Sequence, residues 1–171
     1  MGPEVINVDI FPFKNVDVLA DATRLPFLTS SVDAVCCDDV LEHVPHPELV
    51  AAEILRVLKP GGRAYIGVPF MYPYHVSPKD YTRWTMEGVT ALFAGGRVTK
   101  QGVVYGPVSG ALITLASLFA LLVSFGWSPL YKLLKYVFML LLAPFKFLDV
   151  LYSRVPNAHE LAAGTFTIVK K

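Results

Sequence analysis

Apolar and polar positions follow two rhythms in the first hundred residues, and the changes between them mark out the elements. Residues 32–37 (Val-Asp-Ala-Val-Cys-Cys) form a compact apolar run with β-branched members. The run is too short for a helix and predicts a buried strand. From Pro47 onward Leu49, Val50, Ile54, Val57 and Leu58 recur at helical spacing, with Glu48, Glu53 and Arg56 off that stripe. Pro60-Gly61-Gly62 predicts the helix stop, because proline cannot continue a helix and glycine accepts a left-handed exit. Residues 64–68 read as a second interior strand. Strand, helix and strand make a right-handed parallel unit. Ligands of such sheets lie outside the carboxyl ends of the strands, which directs attention to Asp38 and to the residues after Val68.

Two further short strands are expected, over residues 5–10 and 16–20, the first ending in Asp9-Ile10 and the second followed by Asp21. A carboxylate at a strand's carboxyl end can accept both ribose hydroxyls of a nucleoside, and it can equally make a turn. Asp9 precedes Phe11-Pro12 and Asp21 precedes Leu25-Pro26-Phe27, so both alternatives stand for each. Asp38 or Asp39 is positioned to cap a helix through Leu41–Val44. His43, near that helix start, is by position a structural histidine more often than a substrate contact.

Residues 71–85 are dense in donors, acceptors and rings, and they leave a strand's carboxyl end, where loops carry function. His75 is a candidate general base, the usual task of an imidazole. Tyr81 and Arg83 suit an anionic or sugar-like acceptor; alternatively Asp80 and Arg83 pair and hold the loop. Thr85, with Glu87 and Gly88, opens a helix through Val89, Leu92 and Phe93. Residues 97–105 and 165–169 alternate as an antiparallel edge strand and its partner.

Between those strands the pattern changes. No charged residue occurs from 101 to 131, and residues 111–127 are apolar on nearly every side, close to the roughly 20 residues that span a bilayer. Thr114, Ser117 and Ser124 fall on one small polar stripe. A second helix after Pro129 carries Lys132, Lys135, Lys146 and Asp149 on one face, with a kink expected at Pro144. Such a helix suits the headgroup layer of a membrane, or a hydrophobic lid or dimer surface. A single crossing would put the two strands of the terminal pair on opposite sides of the membrane, so surface docking or a hairpin is expected.

Composition sharpens this picture. Hydrophobic residues make up 54% of 171 and the mean hydropathy is +0.50; the excess lies in that apolar segment, and the length suits one domain. A net charge of +1 gives no electrostatic case for nucleic acid. Cys36 and Cys37 are adjacent in a strand, so an ordinary disulfide between them is not expected. They cannot alone complete a zinc site, and no histidine lies at finger spacing, so no metal is expected. The N-terminus lacks a secretory signal, and a reducing, cytoplasmic setting fits.

The stretches Asp-Ala-Thr-Arg-Leu-Pro-Phe (21–27), Ser-Val-Asp-Ala-Val (31–35), Val-Leu-Glu-His-Val (40–44) and Glu-Ile-Leu-Arg-Val-Leu-Lys-Pro-Gly-Gly (53–62) closely resemble class I S-adenosylmethionine-dependent methyltransferases. The branch is the type 11, small-molecule one, and the loop from Val68 to Thr85 resembles the segment after its fifth strand. The resemblance implies an α/β fold with a Rossmann-like, mostly parallel sheet. By that resemblance the family's first strand and glycine-rich loop have no counterpart ahead of residue 5, as a truncated sequence would give, and a hydrophobic helical insertion is expected before the last strand. It divides the chain into a core (1–107), the insertion (108–155) and a closing strand (156–171). It implies S-adenosylmethionine as cofactor, held by Asp9, Ile10, Asp21, Ala22 and Asp38. His75 would be catalytic, with His43, Tyr81 and Arg83 facing a small-molecule or lipid-linked acceptor. The enzyme would be cytoplasmic, at or in the inner face of a membrane through 108–155. The alternative is a non-catalytic, membrane-attached relative that serves as a binding module.

Overall fold

The computed structural model describes residues 5–171. The opening Met1-Gly2-Pro3, on which the expectation of a missing first strand rests, lies outside them. Two short parallel strands, β1 (Val8–Asp9) and β2 (Val18–Leu19), pair with each other and, among the described residues, with no other strand. The remaining strands form one sheet in the order β3-β4-β6-β5: β3 (Val32–Asp38), β4 (Leu58–Pro69), β5 (Arg97–Tyr105) and β6 (Gly164–Lys170).

This sheet is mixed, which corrects the mostly parallel arrangement expected. Only β3 and β4 run parallel. Strand β6 returns between β4 and β5 and pairs antiparallel with both. Strand β3 ends the row; Cys36 is exposed, and Cys37, on the opposite face, is buried. The run 32–37 is therefore an edge strand and not an interior one.

Helix α1 (Pro47–Val57) stops before Pro60-Gly61-Gly62, at a Leu58 already in extended conformation. Leu58 is fully buried and pairs with Val32, while the next register pair is Ala34 with Arg63. Residues 59–62 are thus a bulge inside β4, not a helix stop. Gly61 sits at φ +81°, and a Cβ at Gly62 would lie 2.9 Å from the carbonyl oxygens of both Asp33 and Lys59. Burying Leu58 against the sheet outweighs the local stop signal.

Helix α1 presents Val50, Ala51, Ile54 and Val57 to the core, while Leu49 faces out. On its outer side the Arg56 guanidinium donates to Glu53 and to the carbonyls of Leu25 and Phe27. Glu53 in turn accepts from the Leu25 N–H. The segment after β2 is thereby tied to α1. Helix α2 (Met86–Leu92) starts as its sequence predicts, with the Gly88 N–H donating to Thr85 Oγ1 at 3.0 Å. The core closes with Leu41, Val89, Phe93 and Val169.

The apolar segment is a helical hairpin of α3 (Pro107–Ser124) and α4 (Ser128–Leu142), turned by Phe125 and Gly126 in left-handed conformation. Helix α3 buries Gly110, Ala116, Ala120 and Ser124. Of the predicted polar stripe only Ser124 belongs to that set; Thr114 and Ser117 donate to the Gly110 and Ile113 carbonyls of their own helix. At Pro144 the α-helix gives way to a 3-10 turn, Ala143–Leu148, followed by the short α5 (Asp149–Tyr152). Asp149 leaves the expected charged face: its carboxylate accepts from the Val108 and Ser109 N–H groups and caps α3.

Candidate functional site

The candidate site lies where strands end. Strands β1 and β2 are in parallel register, so Asp9 and the Ala20–Ala22 turn leave the same end of one small sheet. The Phe11 N–H donates to Asp9 Oδ1 at 2.8 Å. The Thr23 N–H and hydroxyl both donate to Asp21 Oδ1 at 2.8 Å. Each carboxylate makes the turn that its sequence permits, and each keeps its second oxygen free of hydrogen bonds among the described residues. Ile10 is 57% exposed, and Ala22 packs against the core.

Strand β3 ends at Asp38, opposite Gly67 of β4. A Cβ at Gly67 would overlap the Asp38 carboxylate, so glycine makes the room that this acid occupies. Burial, and then Asp39, raise the Asp38 carboxyl above its usual range. Asp39 does not cap a helix. It takes a left-handed turn (φ +51°), its N–H donates to the Gly67 carbonyl, and its carboxylate accepts from the Tyr105 hydroxyl at 3.3 Å. Burial and the charges of Asp39 and Asp38 push that phenol up to about 12.

Past these ends opens a cavity of about 670 Å³, roofed by α3, α4 and the turn after Pro144. Its polar lining comes from Asp39, His43, His75, Tyr105 and Lys146, and Leu112, Ile113, Met139 and Leu142 line it as well. His43 and His75 stack edge to face with ring centres 5.0 Å apart, and Tyr72 stands against His75 at the same distance. Behind them is Glu42, wholly buried, with no hydrogen-bond partner for either carboxylate oxygen among the described residues. Its Oε1 lies 3.6 Å from His43 Nε2 and 3.9 Å from His75 Nε2. Burial pushes the Glu42 carboxyl up to about 7.

The loop that carries His75 is held from within. Arg83 makes a two-pronged bond to Asp80, with Nη2 to Oδ2 at 2.6 Å, and it donates to the carbonyls of Tyr72 and Pro73. Asp80 also accepts from the His75 N–H, and the Arg83 guanidinium holds its carboxyl down at about 2. Arg83 thus serves the loop. Tyr81 is 49% exposed and meets Glu42 through its backbone N–H, at 2.7 Å from the Glu42 carbonyl.

Of the positions singled out in the sequence, His43 and His75 reach the cavity wall together, Asp38 adjoins it through Asp39, and Tyr81 and Arg83 are not among its lining residues. Sequence reasoning passed over Glu42, Asp39, Tyr105 and Lys146. Glu42 lay in plain view beside His43, but its partner His75 is distant in the chain, and only the fold of the 71–85 loop joins them.

The sequence pattern of the "Methyltransferase domain" family matches residues 4–66. An uncharacterized chloroplastic methyltransferase of Arabidopsis thaliana is 48% identical over 64 residues, which are 36% of this chain and 18% of that protein. A demethylmenaquinone methyltransferase of Renibacterium salmoninarum is 34% identical over 93 residues, 53% of this chain and 39% of that one. The chain therefore spans well under half the length of these relatives. Among solved structures, an S-adenosylmethionine-dependent methyltransferase from Archaeoglobus fulgidus superposes with a TM-score of 0.58 at 14% identity, covering 97% of this chain and 75% of that one. A putative sarcosine dimethylglycine methyltransferase from Galdieria sulphuraria gives 0.56 at 14% identity, with 96% and 68% covered.

The family implies S-adenosylmethionine as methyl donor, and the residues present suit its nucleoside half. Asp9 and Asp21 each offer an uncommitted carboxylate oxygen at adjoining strand ends, as ribose and adenine donors require. Residues 4–66 thus carry the pattern of a methyltransferase domain, and the chain shares the fold of a solved S-adenosylmethionine-dependent methyltransferase along nearly its whole length.

Proposed function

We propose that this chain binds S-adenosylmethionine across the ends of β1, β2 and β3 and methylates a small acceptor with an apolar body. The observation that carries this reading is the cavity beside Asp39, which combines a wall of titratable groups with an aliphatic roof. When bound, the donor supplies an electrophilic methyl on a sulfonium. Asp9 accepts from the ribose hydroxyls, Asp21 and the Ala22 backbone meet the adenine, and Asp38 with Ile10 borders the group. His75 takes the proton of an acceptor hydroxyl or amine, with His43 and the buried Glu42 behind it. Tyr81 and Arg83 shape the loop at the acceptor's entrance. The expected test is a calorimetric titration with S-adenosylhomocysteine: Asp9→Ala raises Kd about tenfold or more, roughly 1.4 kcal/mol. An unchanged Kd removes Asp9 from the cofactor site.

A lipid-borne acceptor is supported by the outer face of the hairpin. Helix α4 buries none of its residues, and Phe125, Leu140 and Phe147 are 96%, 76% and 79% exposed. Exposed apolar surface on this scale marks an interaction site, and Lys132 and Lys135 on the same helix suit anionic headgroups. Helix α3 is long and apolar enough to cross a membrane by length and composition. In our reading the hairpin lies on a lipid surface, which keeps β5 and β6 on one side. In sedimentation with phosphatidylserine-containing vesicles, Leu140→Glu should weaken partitioning about tenfold or more, given roughly 1.5–3 kcal/mol per buried leucine. A protein that stays in the supernatant at every lipid concentration ends the membrane part of the reading.

A further inference from the structure

Glu42 poses a problem that the methyl-transfer reading does not solve. A carboxylate wholly removed from water, with neither oxygen hydrogen-bonded among the described residues, costs free energy unless a proton or a cation meets it. Two imidazoles face the same oxygen, at 3.6 and 3.9 Å. The three candidate ligand atoms of Glu42, His43 and His75 all lie within 4.8 Å of one another.

The surroundings of His43 suit a metal ligand. His43 Nδ1 lies 2.6 Å from the Lys79 carbonyl oxygen, which can only accept. In the neutral ring Nδ1 therefore carries the hydrogen, and Nε2 presents its lone pair toward Glu42. This outer bond, imidazole to backbone carbonyl, is the kind that fixes a metal-ligating histidine. His75 differs: its Nδ1 lies 3.4 Å from Arg83 Nη2, which can only donate, and 3.6 Å from Asp80 Oδ2, while its Nε2 faces Glu42, so this ring must give up its Nε2 hydrogen to bind an ion. His43 and His75 both line the cavity, so an ion between them and Glu42 would keep coordination positions open to a bound acceptor.

We propose that Glu42, His43 and His75 form a three-ligand site for a divalent transition-metal ion, with zinc the best match to two imidazoles and one carboxylate. Three protein ligands with an open fourth position are the arrangement of reactive rather than purely structural zinc. The two nitrogens lie 3.6 and 3.9 Å from the Glu42 oxygen, and the three atoms within 4.8 Å of one another, so the set must contract around an ion whose bonds to nitrogen and oxygen are about 2.0–2.2 Å. The proposal deepens the reading of the cavity as an acceptor site, and it alters one role there. An ion engages the lone pair that His75 would use as a base, so coordination and proton acceptance alternate at that ring. Sequence spacing hides the site, because two of its ligands are adjacent and the third arrives from a distant loop.

The test uses the full chain, stripped with a chelator, dialysed against Zn²⁺ and analysed for bound metal; a parallel sample with Co²⁺ is read by visible absorption. One ion per chain is expected, with Kd at or below about 10 μM. Glu42→Gln, which keeps shape but not charge, and His75→Ala should each weaken binding about tenfold or more. His46→Ala and His159→Ala, the two histidines outside the cluster, should leave it unchanged. His75 is partly exposed, so its variant serves if Glu42→Gln fails to fold. No ion above background, or an ion kept in both cluster variants, overturns the proposal. S-adenosylhomocysteine titration of the same stripped sample separates the two ideas: nucleoside binding without metal binding leaves the methyltransferase reading standing and removes only this one.

Discussion

His75→Ala lowers kcat for methyl transfer by about 10²–10⁴-fold while the affinity for S-adenosylhomocysteine stays near that of the unaltered protein. The split follows from where the residue sits. His75 lines the cavity under the helical hairpin, whereas the acids proposed for the nucleoside lie at the ends of β1 and β2. Its ring is held on several sides: edge-on to His43 and Tyr72, with Nδ1 facing Asp80 and Arg83. A ring so confined has little freedom to lose when it meets an acceptor, which is where an orienting shell contributes to rate. The measurement is a steady-state assay paired with a binding titration of the same variant. A kcat within about twofold of the unaltered protein would mean that His75 neither takes the proton nor holds an ion that replaces it in that role.

Arg83→Ala destabilises the fold by about 2–4 kcal/mol. Removing one partner of a buried pair leaves the other charge uncompensated, at roughly 3–5 kcal/mol. The range is lowered here because the Arg83 side chain is 25% exposed and water screens part of the loss. Asp80, its partner, is only 1% exposed. The same pair governs the acid limb of stability. The Asp80 carboxyl is held at about 2 in the fold, below its ordinary 3.8. A group depressed in this way contributes stability that is fully present above the unfolded value and is lost as pH falls through the folded one. Between about pH 5 and pH 2 the unaltered protein should lose about 2 kcal/mol that Asp80→Asn does not lose. Urea unfolding across that range reads both effects. Parallel acid limbs for the two proteins would show that Asp80 carries no depressed carboxyl.

The two effects belong to one loop, and that loop shows how far the sequence was legible. Residues 71–85 stand out in the sequence for their density of polar and aromatic side chains, and Thr85 reads as a helix cap from its spacing to Gly88, as the Gly88 N–H bond bears out. The division of labour within the loop was not. Arg83 reads as a substrate contact or as a loop clamp, and only three-dimensional placement of the Tyr72 and Pro73 carbonyls commits it to the clamp. Short-range patterns succeeded wherever the partner was near in sequence, as at Asp9 and Asp21, whose turn bonds reach two residues ahead. They failed where burial decided the outcome. Leu58 leaves α1 early to fill the sheet, and Asp149 turns inward to cap α3. Glu42 was invisible for the same reason, since no local signal separates a solvated glutamate from one sealed behind two imidazoles.

The central claim is that one nucleoside lies across the ends of β1, β2 and β3, next to a cavity that receives the acceptor. Hydrogen exchange with and without saturating S-adenosylhomocysteine tests it most directly. Slowed amide exchange is expected at residues 9–11, 21–23 and 38–40 together, with the outer face of α4 unchanged. Protection confined to the helical hairpin, or none at any of the three strand ends at a concentration that saturates binding, would contradict it.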